Sequence, residues 1–154
     1  MKYFTREWWR GDTSGNTAKE YWSYIDAIRP KLTKDLVRLL DDVSLHDSTV
    51  HSFLVTPEEN VAVLVLDGSS DPWHRSKGLD RARRFALRYE GVTDVTIVNK
   101  DRKSISQLDD SDLGYDEIEL TPNGMFQHRM LFASYTELHM TFKNFRLEFK
   151  DKQE

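Results

Sequence analysis

The chain has 154 residues, 38% of them apolar, 31% charged and 12% aromatic, with a formal net charge of −4. That length suits one domain around one core, the aromatic content argues against disorder, and the negative charge excludes a general nucleic-acid role, because neutralising phosphates needs surplus Lys and Arg. The lack of Cys removes disulfide and thiolate chemistry, no Asn heads an Asn-x-Ser/Thr sequon and no run approaches the ~18 apolar residues of a membrane span, so a reducing cytosol is the expected setting.

The first predicted elements are helical. RGDTSGNT, residues 10–17, is rich in turn formers and offers Asn16 or Thr17 as a cap. Ala18, Tyr21, Trp22, Ile25 and Ile28 share one stripe, predicting a helix over 17–29 that Pro30 ends; Leu32, Leu36, Leu39, Leu40 and Val43 predict a second over 32–43. From residue 50 the period changes from 3.6 to 2. Val50 to Thr56 and Val61 to Leu66 predict a hairpin turning at Pro57-Glu58-Glu59-Asn60, and 67–78 reads as a surface loop. Residues 82–90 alternate as a strand, with a short helix as the alternative, and Val92 to Val98 predicts another strand. Residues 99–112 are polar punctuation. Tyr115 to Thr121 leads into Pro122-Asn123-Gly124, a tight-turn signal, and the runs 126–132, 138–142 and 145–149 complete a meander.

These elements predict an α+β fold: two N-terminal amphipathic helices packed on a mainly antiparallel sheet of about seven strands. The expected organisation is a single domain over 1–154, helical to about 43 and β-rich over about 48–150. The helices are expected to lay Trp22, Ile25, Leu36, Leu39 and Leu40 against a sheet containing Phe132, Met140 and Phe142.

The opening Met1-Lys2-Tyr3-Phe4-Thr5-Arg6-Glu7-Trp8, the segment Leu45-His46-Asp47, and the runs Tyr115-Asp116-Glu117-Ile118-Glu119-Leu120 and His128-Arg129-Met130-Leu131-Phe132 resemble an uncharacterised bacterial family, a domain of unknown function. The resemblance spans nearly the whole chain and brings no activity with it. The Leu-His-Asp segment followed by a β-meander is also similar to small bacterial immunity proteins, which neutralise a toxin by binding it; that likeness is one of fold.

Candidate chemistry centres on SLHDSTVHSF, residues 44–53, where His46, Asp47 and His51 would supply a divalent metal or acid/base site of a small hydrolase. The competing structural reading gives Asp47 a turn, its carboxylate accepting backbone N–H groups one or two residues on, because His51 shares a strand face with Phe53 and Val55 while His46 and Asp47 precede it. His128 and His139 are more distant candidates. An EF-hand in the acidic run 109–119 is excluded by its spacing, and the common hydrolase, nucleotide and zinc motifs are absent. The aromatic opening reads either as a stacking platform or as packing, with one of the adjacent Trp8 and Trp9 exposed if the segment is extended. Arg75, Lys77, Arg81, Arg83, Arg84 and Arg88 form a basic run that reads as a solvated face neutralised by the acidic stretch, or as a contact for an acidic partner. The reading that follows is a bacterial cytosolic protein that binds another macromolecule, toxin-neutralising or regulatory, without cofactor or catalysis, using Trp8 or Trp9 with Arg84 and Arg88 as partner surface.

Overall fold

A computed structural model describes residues 1–13, 15–68, 84–99 and 112–150. Among these residues three α-helices, α1 (Arg6–Trp9), α2 (Thr17–Ile28) and α3 (Lys34–Asp42), precede eight strands: β1 (Ser48–Thr56), β2 (Val61–Asp67), β3 (Arg84–Glu90), β4 (Asp94–Asn99), β5 (Asp112–Leu120), β6 (Phe126–Phe132), β7 (Thr136–Phe142) and β8 (Asn144–Lys150). The α+β class and the antiparallel sheet are as expected, with eight strands in place of about seven. Residues 84–90 are a strand, not a short helix. The loop expected over 67–78 and the polar stretch 99–112 fall largely outside the described residues.

Local chemistry sets the helix limits. Thr5 and Thr33 cap α1 and α3 through their hydroxyls, which accept from Trp8 N and Leu36 N. At one turn, α1 is too short to print a period, which is why the sequence pattern does not show it. Ile25, Leu36 and Leu39 are buried and Leu40 packs half-buried against the core, as their stripes require. Trp22 departs from that expectation: it is 44% exposed. Tyr21 and Ile25, one turn apart, take the inward arc of α2, and Trp22, about 100° round from Tyr21, is left at its edge.

The strand order is β4-β7-β6-β5-β1-β2-β3-β8, antiparallel at every junction. Only Gly91, Val92 and Thr93 separate β3 from β4, and only Lys143 separates β7 from β8. The ladder runs through both breaks, because Lys143 N donates to Glu90 O and Thr93 N to Thr141 O. Each pair is therefore one long strand bent at a corner. One half of the long β7–β8 strand pairs with β6 and the other half of its partner strand pairs with β2, so the pairings close on themselves through the corner into a barrel-like ring. The C-terminal strands do not form the simple meander expected of them: β5, β6 and β7 do, but the corner carries β8 away to β3.

The ring interior is the core. Leu64, Leu66, Phe85, Leu87, Tyr89, Ile118, Met130, Phe132, Leu138, Met140 and Phe142 are all buried there. Burying this much aromatic and aliphatic surface, at roughly 25 cal/mol per Å², is what holds a fold whose chain is otherwise highly charged. The outer face of β5, β6 and β7 is covered instead by the N-terminal segment. Glu117, only 1% exposed, accepts from the backbone N–H groups of Lys2, Tyr3 and Phe4 and from Arg129. One carboxylate thus satisfies three successive amides of the segment and an Arg charge together.

Candidate functional site

The ring is weakest between β1 and β5. Among the described residues they share the pairs Ser48↔Leu113 and Thr49↔Asp112; β1 begins at Ser48, so the rest of β5 runs antiparallel past its start, towards the turn and α3, and β5 has its own irregularity between Leu113 and Tyr115. Beyond this short seam the amides of β5 lose their strand partner. Helix α2 replaces it: the hydroxyl of Tyr21 accepts from Ile118 N and that of Tyr24 from Leu120 N, each at 2.8 Å. Burial holds the Tyr21 hydroxyl far above the usual phenol range, so it stays protonated.

At the seam lies a cleft of about 450 Å³, lined by Phe4, Tyr21, Trp22 and Tyr115 on its aromatic side, by Leu39, Leu40, Val43 and Leu45 from α3 and its exit, and by the polar groups of Ser44, His46 and Asp116. The aromatic rings pack on one another: Phe4 stands edge-on to Tyr21 with centroids 5.0 Å apart and is stacked on Tyr115 at 5.7 Å, and Tyr21 meets Trp22 at 5.5 Å. Gly114 forms part of the wall because nothing larger fits: a Cβ there would lie 2.3 Å from the Trp9 ring.

Asp116 links the cleft to the barrel interior. His128 Nε2 lies 2.9 Å from Asp116 Oδ2, and Tyr89 Oη lies 2.8 Å from His128 Nδ1. Asp116 pairs across the ladder with Met130, so His128, two residues before Met130, is its diagonal neighbour on the inner face. A carboxylate accepts, so Nε2–H points to Asp116; in the neutral imidazole Nδ1 is then the acceptor, and the Tyr89 hydroxyl donates to it. Burial, and after it the charge of Asp116, pushes the Tyr89 hydroxyl well above its ordinary range and keeps it protonated.

The residues singled out from the sequence are distributed over several places. His46 is in the cleft wall, its Nδ1 donating to the carbonyl of Gly114 and its Nε2 facing Asp47 Oδ1 at 3.5 Å. Asp47 sits at the turn into β1 with φ 59°, and the turn is closed by backbone groups, Ser48 N to Leu45 O and Asp47 N to Leu113 O; its carboxylate makes no backbone hydrogen bond among the described residues. His51 lies elsewhere, 3.6 Å from Asp67 Oδ2. His46 and Asp47 are thus together and His51 is apart. Among the described residues no group of three or more His, Cys, Asp or Glu side chains is placed to hold a metal ion.

Arg84 and His51 meet instead, since Asp67 also takes Arg84 Nε at 2.9 Å. Arg88 pairs with Glu90, which Arg146 shares. These two Arg residues are neutralised by carboxylates of their own sheet rather than by the acidic stretch; Arg75, Lys77, Arg81 and Arg83 lie outside the described residues. Trp8 and Trp9 are both half-buried, because α1 is helical rather than extended and sets both rings edge-on to Tyr115, at 4.9 and 5.2 Å. His139 bonds Glu137 at 2.7 Å on the outer face and helps to lower that carboxylate to about 2. The residues that sequence reasoning passed over are Tyr89 and Asp116. The signal was His128 itself, a polar residue in the inward phase of Phe126, Met130 and Phe132, where an imidazole requires buried partners.

The chain matches no protein-family model, and no curated protein matches it. No helix among the described residues is long and apolar enough to cross a membrane.

Proposed function

We propose that the protein is a binding module whose seam cleft receives a side chain of a partner protein. The observation that carries this is Trp22, a large aromatic 44% exposed on the rim of a cleft already walled by three other aromatic rings. Binding sites of this kind span roughly 300–1,000 Å³ and combine an apolar wall with a few convergent polar groups. Interfaces likewise concentrate their energy where an anchor side chain fills such a pocket and where Trp and Tyr can be desolvated. The reading agrees with the non-enzymatic, macromolecule-binding role and the bacterial cytosolic setting expected from the sequence, and it moves the contact surface from Trp8, Trp9, Arg84 and Arg88 to the cleft.

Affinity capture from the native host with the wild-type chain, Trp22→Ala and the double charge reversal at Arg84 and Arg88 tests it. Because Trp22 is only partly buried, its truncation is expected to leave the fold intact by circular dichroism while reducing the recovery of one specific protein at least about tenfold, the equivalent of ~1.4 kcal/mol. A capture profile indifferent to Trp22→Ala, or one abolished by the Arg84 and Arg88 reversals alone, would place the interface outside the cleft.

A further inference from the structure

We infer that the group this cleft receives is cationic, a lysine ammonium or an arginine guanidinium carried on its apolar stem; the inference rests on the seam cleft being the docking site. Asp116 differs from the strand carboxylates that carry an Arg partner. Asp67 has Arg84, Glu90 has Arg88 and Arg146, and Glu117 and Glu119 share Arg129. Asp116, with a side chain 25% exposed, has no Lys or Arg partner among the described residues; its ion-pair partner is His128. With both nitrogens of His128 engaged, one by Asp116 and the other by Tyr89, the Asp116 carboxylate faces the cleft with no fixed Lys or Arg charge beside it among the described residues.

His128 and Tyr89 are positioning residues. They fix Oδ2 from inside the barrel and leave Oδ1 for an incoming donor. The rest of the wall suits the same ligand. Phe4, Tyr21, Trp22 and Tyr115 offer aromatic rings, which attract ammonium and guanidinium groups electrostatically and pack against a methylene stem. An anion finds less: the amides of Ile118 and Leu120, which could have bound one at this strand edge, are already given to Tyr21 and Tyr24.

The test uses the full chain and four small probes of similar length, n-butylammonium, n-butylguanidinium, neutral 1-pentanol and anionic pentanoate, titrated while the Trp22 indole and Gly114 amide signals are followed by NMR. Both cations are expected to move these signals at concentrations about tenfold lower than pentanol or pentanoate, a ratio in keeping with ~1.4 kcal/mol of cation preference. Asp116→Asn, which keeps the shape and an acceptor for His128, is expected to bring the cations down to the level of pentanol without changing pentanol itself. Tyr89→Phe, which takes away the buried partner of His128 Nδ1, is expected to shift that nitrogen's NMR signal and to weaken the cations selectively by loosening the imidazole that holds Asp116.

Equal binding of cations and pentanol by the wild type, preferential binding of pentanoate, or an undiminished cation preference in Asp116→Asn would overturn the inference. The two readings separate cleanly. A partner whose capture depends on Trp22, found beside probes that show no charge preference, leaves the docking site standing and removes the cationic assignment; cation preference at a cleft whose Trp22 no partner needs does the reverse.

Discussion

Asp47 shows how one residue type can be right for a turn for a reason other than its charge. Its φ of 59° lies in the left-handed region, where L-residues carry a steric penalty that Gly escapes and that Asp and Asn bear more easily than others. With the turn closed by Ser48 N and Leu45 O, its carboxylate has no part in the backbone bonds. Asp47→Gly is therefore expected to leave stability within ~0.5 kcal/mol of the wild type, while Asp47→Val, β-branched at positive φ, is expected to lose ~1–2 kcal/mol. Urea denaturation of the two variants checks this; a Val variant as stable as the wild type would show that the backbone there is relaxed by another route. The sequence placed a turn at this position correctly, since Asp between a helix stripe and a strand stripe is a turn signal. It could not distinguish a carboxylate acceptor from a tolerant backbone, because both use the same residue.

The element on which the seam depends is α2. A strand that loses its neighbour leaves amides that must find other acceptors or be desolvated at a penalty of ~1–3 kcal/mol each. Tyr21 and Tyr24, three positions apart on one helix face, supply two hydroxyls at the spacing of alternate strand amides, Ile118 and Leu120. Tyr21→Phe is expected to destabilise by ~1–3 kcal/mol, since Tyr21 is 2% exposed and water has no access to the amide of Ile118. Tyr24→Phe is expected to do less, because Tyr24 is only partly buried and solvent can take its place. Denaturant unfolding gives the energies, and hydrogen exchange at Ile118 and Leu120 gives the site. Faster exchange confined to β7, or equal losses from both substitutions, would contradict this division of labour. The 3.6 period of Ala18, Tyr21, Trp22, Ile25 and Ile28 made α2 legible in the sequence. Which of its aromatics would bond to a strand was not, for that depends on where β1 begins: its pairing with β5 starts at Ser48 opposite Leu113 and leaves Ile118 and Leu120 beyond its end.

At the scale of the molecule, closure depends on two corners that sit side by side, Gly91 in one long strand and Lys143 in the other. The alternation of Phe85, Leu87 and Tyr89 and of Leu138, Met140 and Phe142 made the strands themselves readable, because the phase of each run records which face is buried. The corner was less so: a lone Gly between strand-like runs reads equally well as a hairpin stop, and what distinguishes a bend from a stop is the partner strand, which local pattern does not contain. Gly91 has φ 63°, and a Cβ added to it would come within 3.0 Å of Lys143 Cβ and 3.2 Å of its Cγ and Cδ. Two separate penalties are then expected for Gly91→Ala, one from the left-handed backbone and one from crowding, together ~1–3 kcal/mol. Lys143→Gly removes the crowding atoms but not the backbone penalty, so the double-mutant cycle separates them: Gly91→Ala is expected to cost ~1 kcal/mol less in the Lys143→Gly background than in the wild type. Because the ladders β3–β8 and β4–β7 meet at this corner, Gly91→Ala is also expected to speed hydrogen exchange in both at once. Loosening limited to β4 and β7, with no coupling to Lys143, would mean that the two halves are independent sheets and that the ring is not closed through this corner.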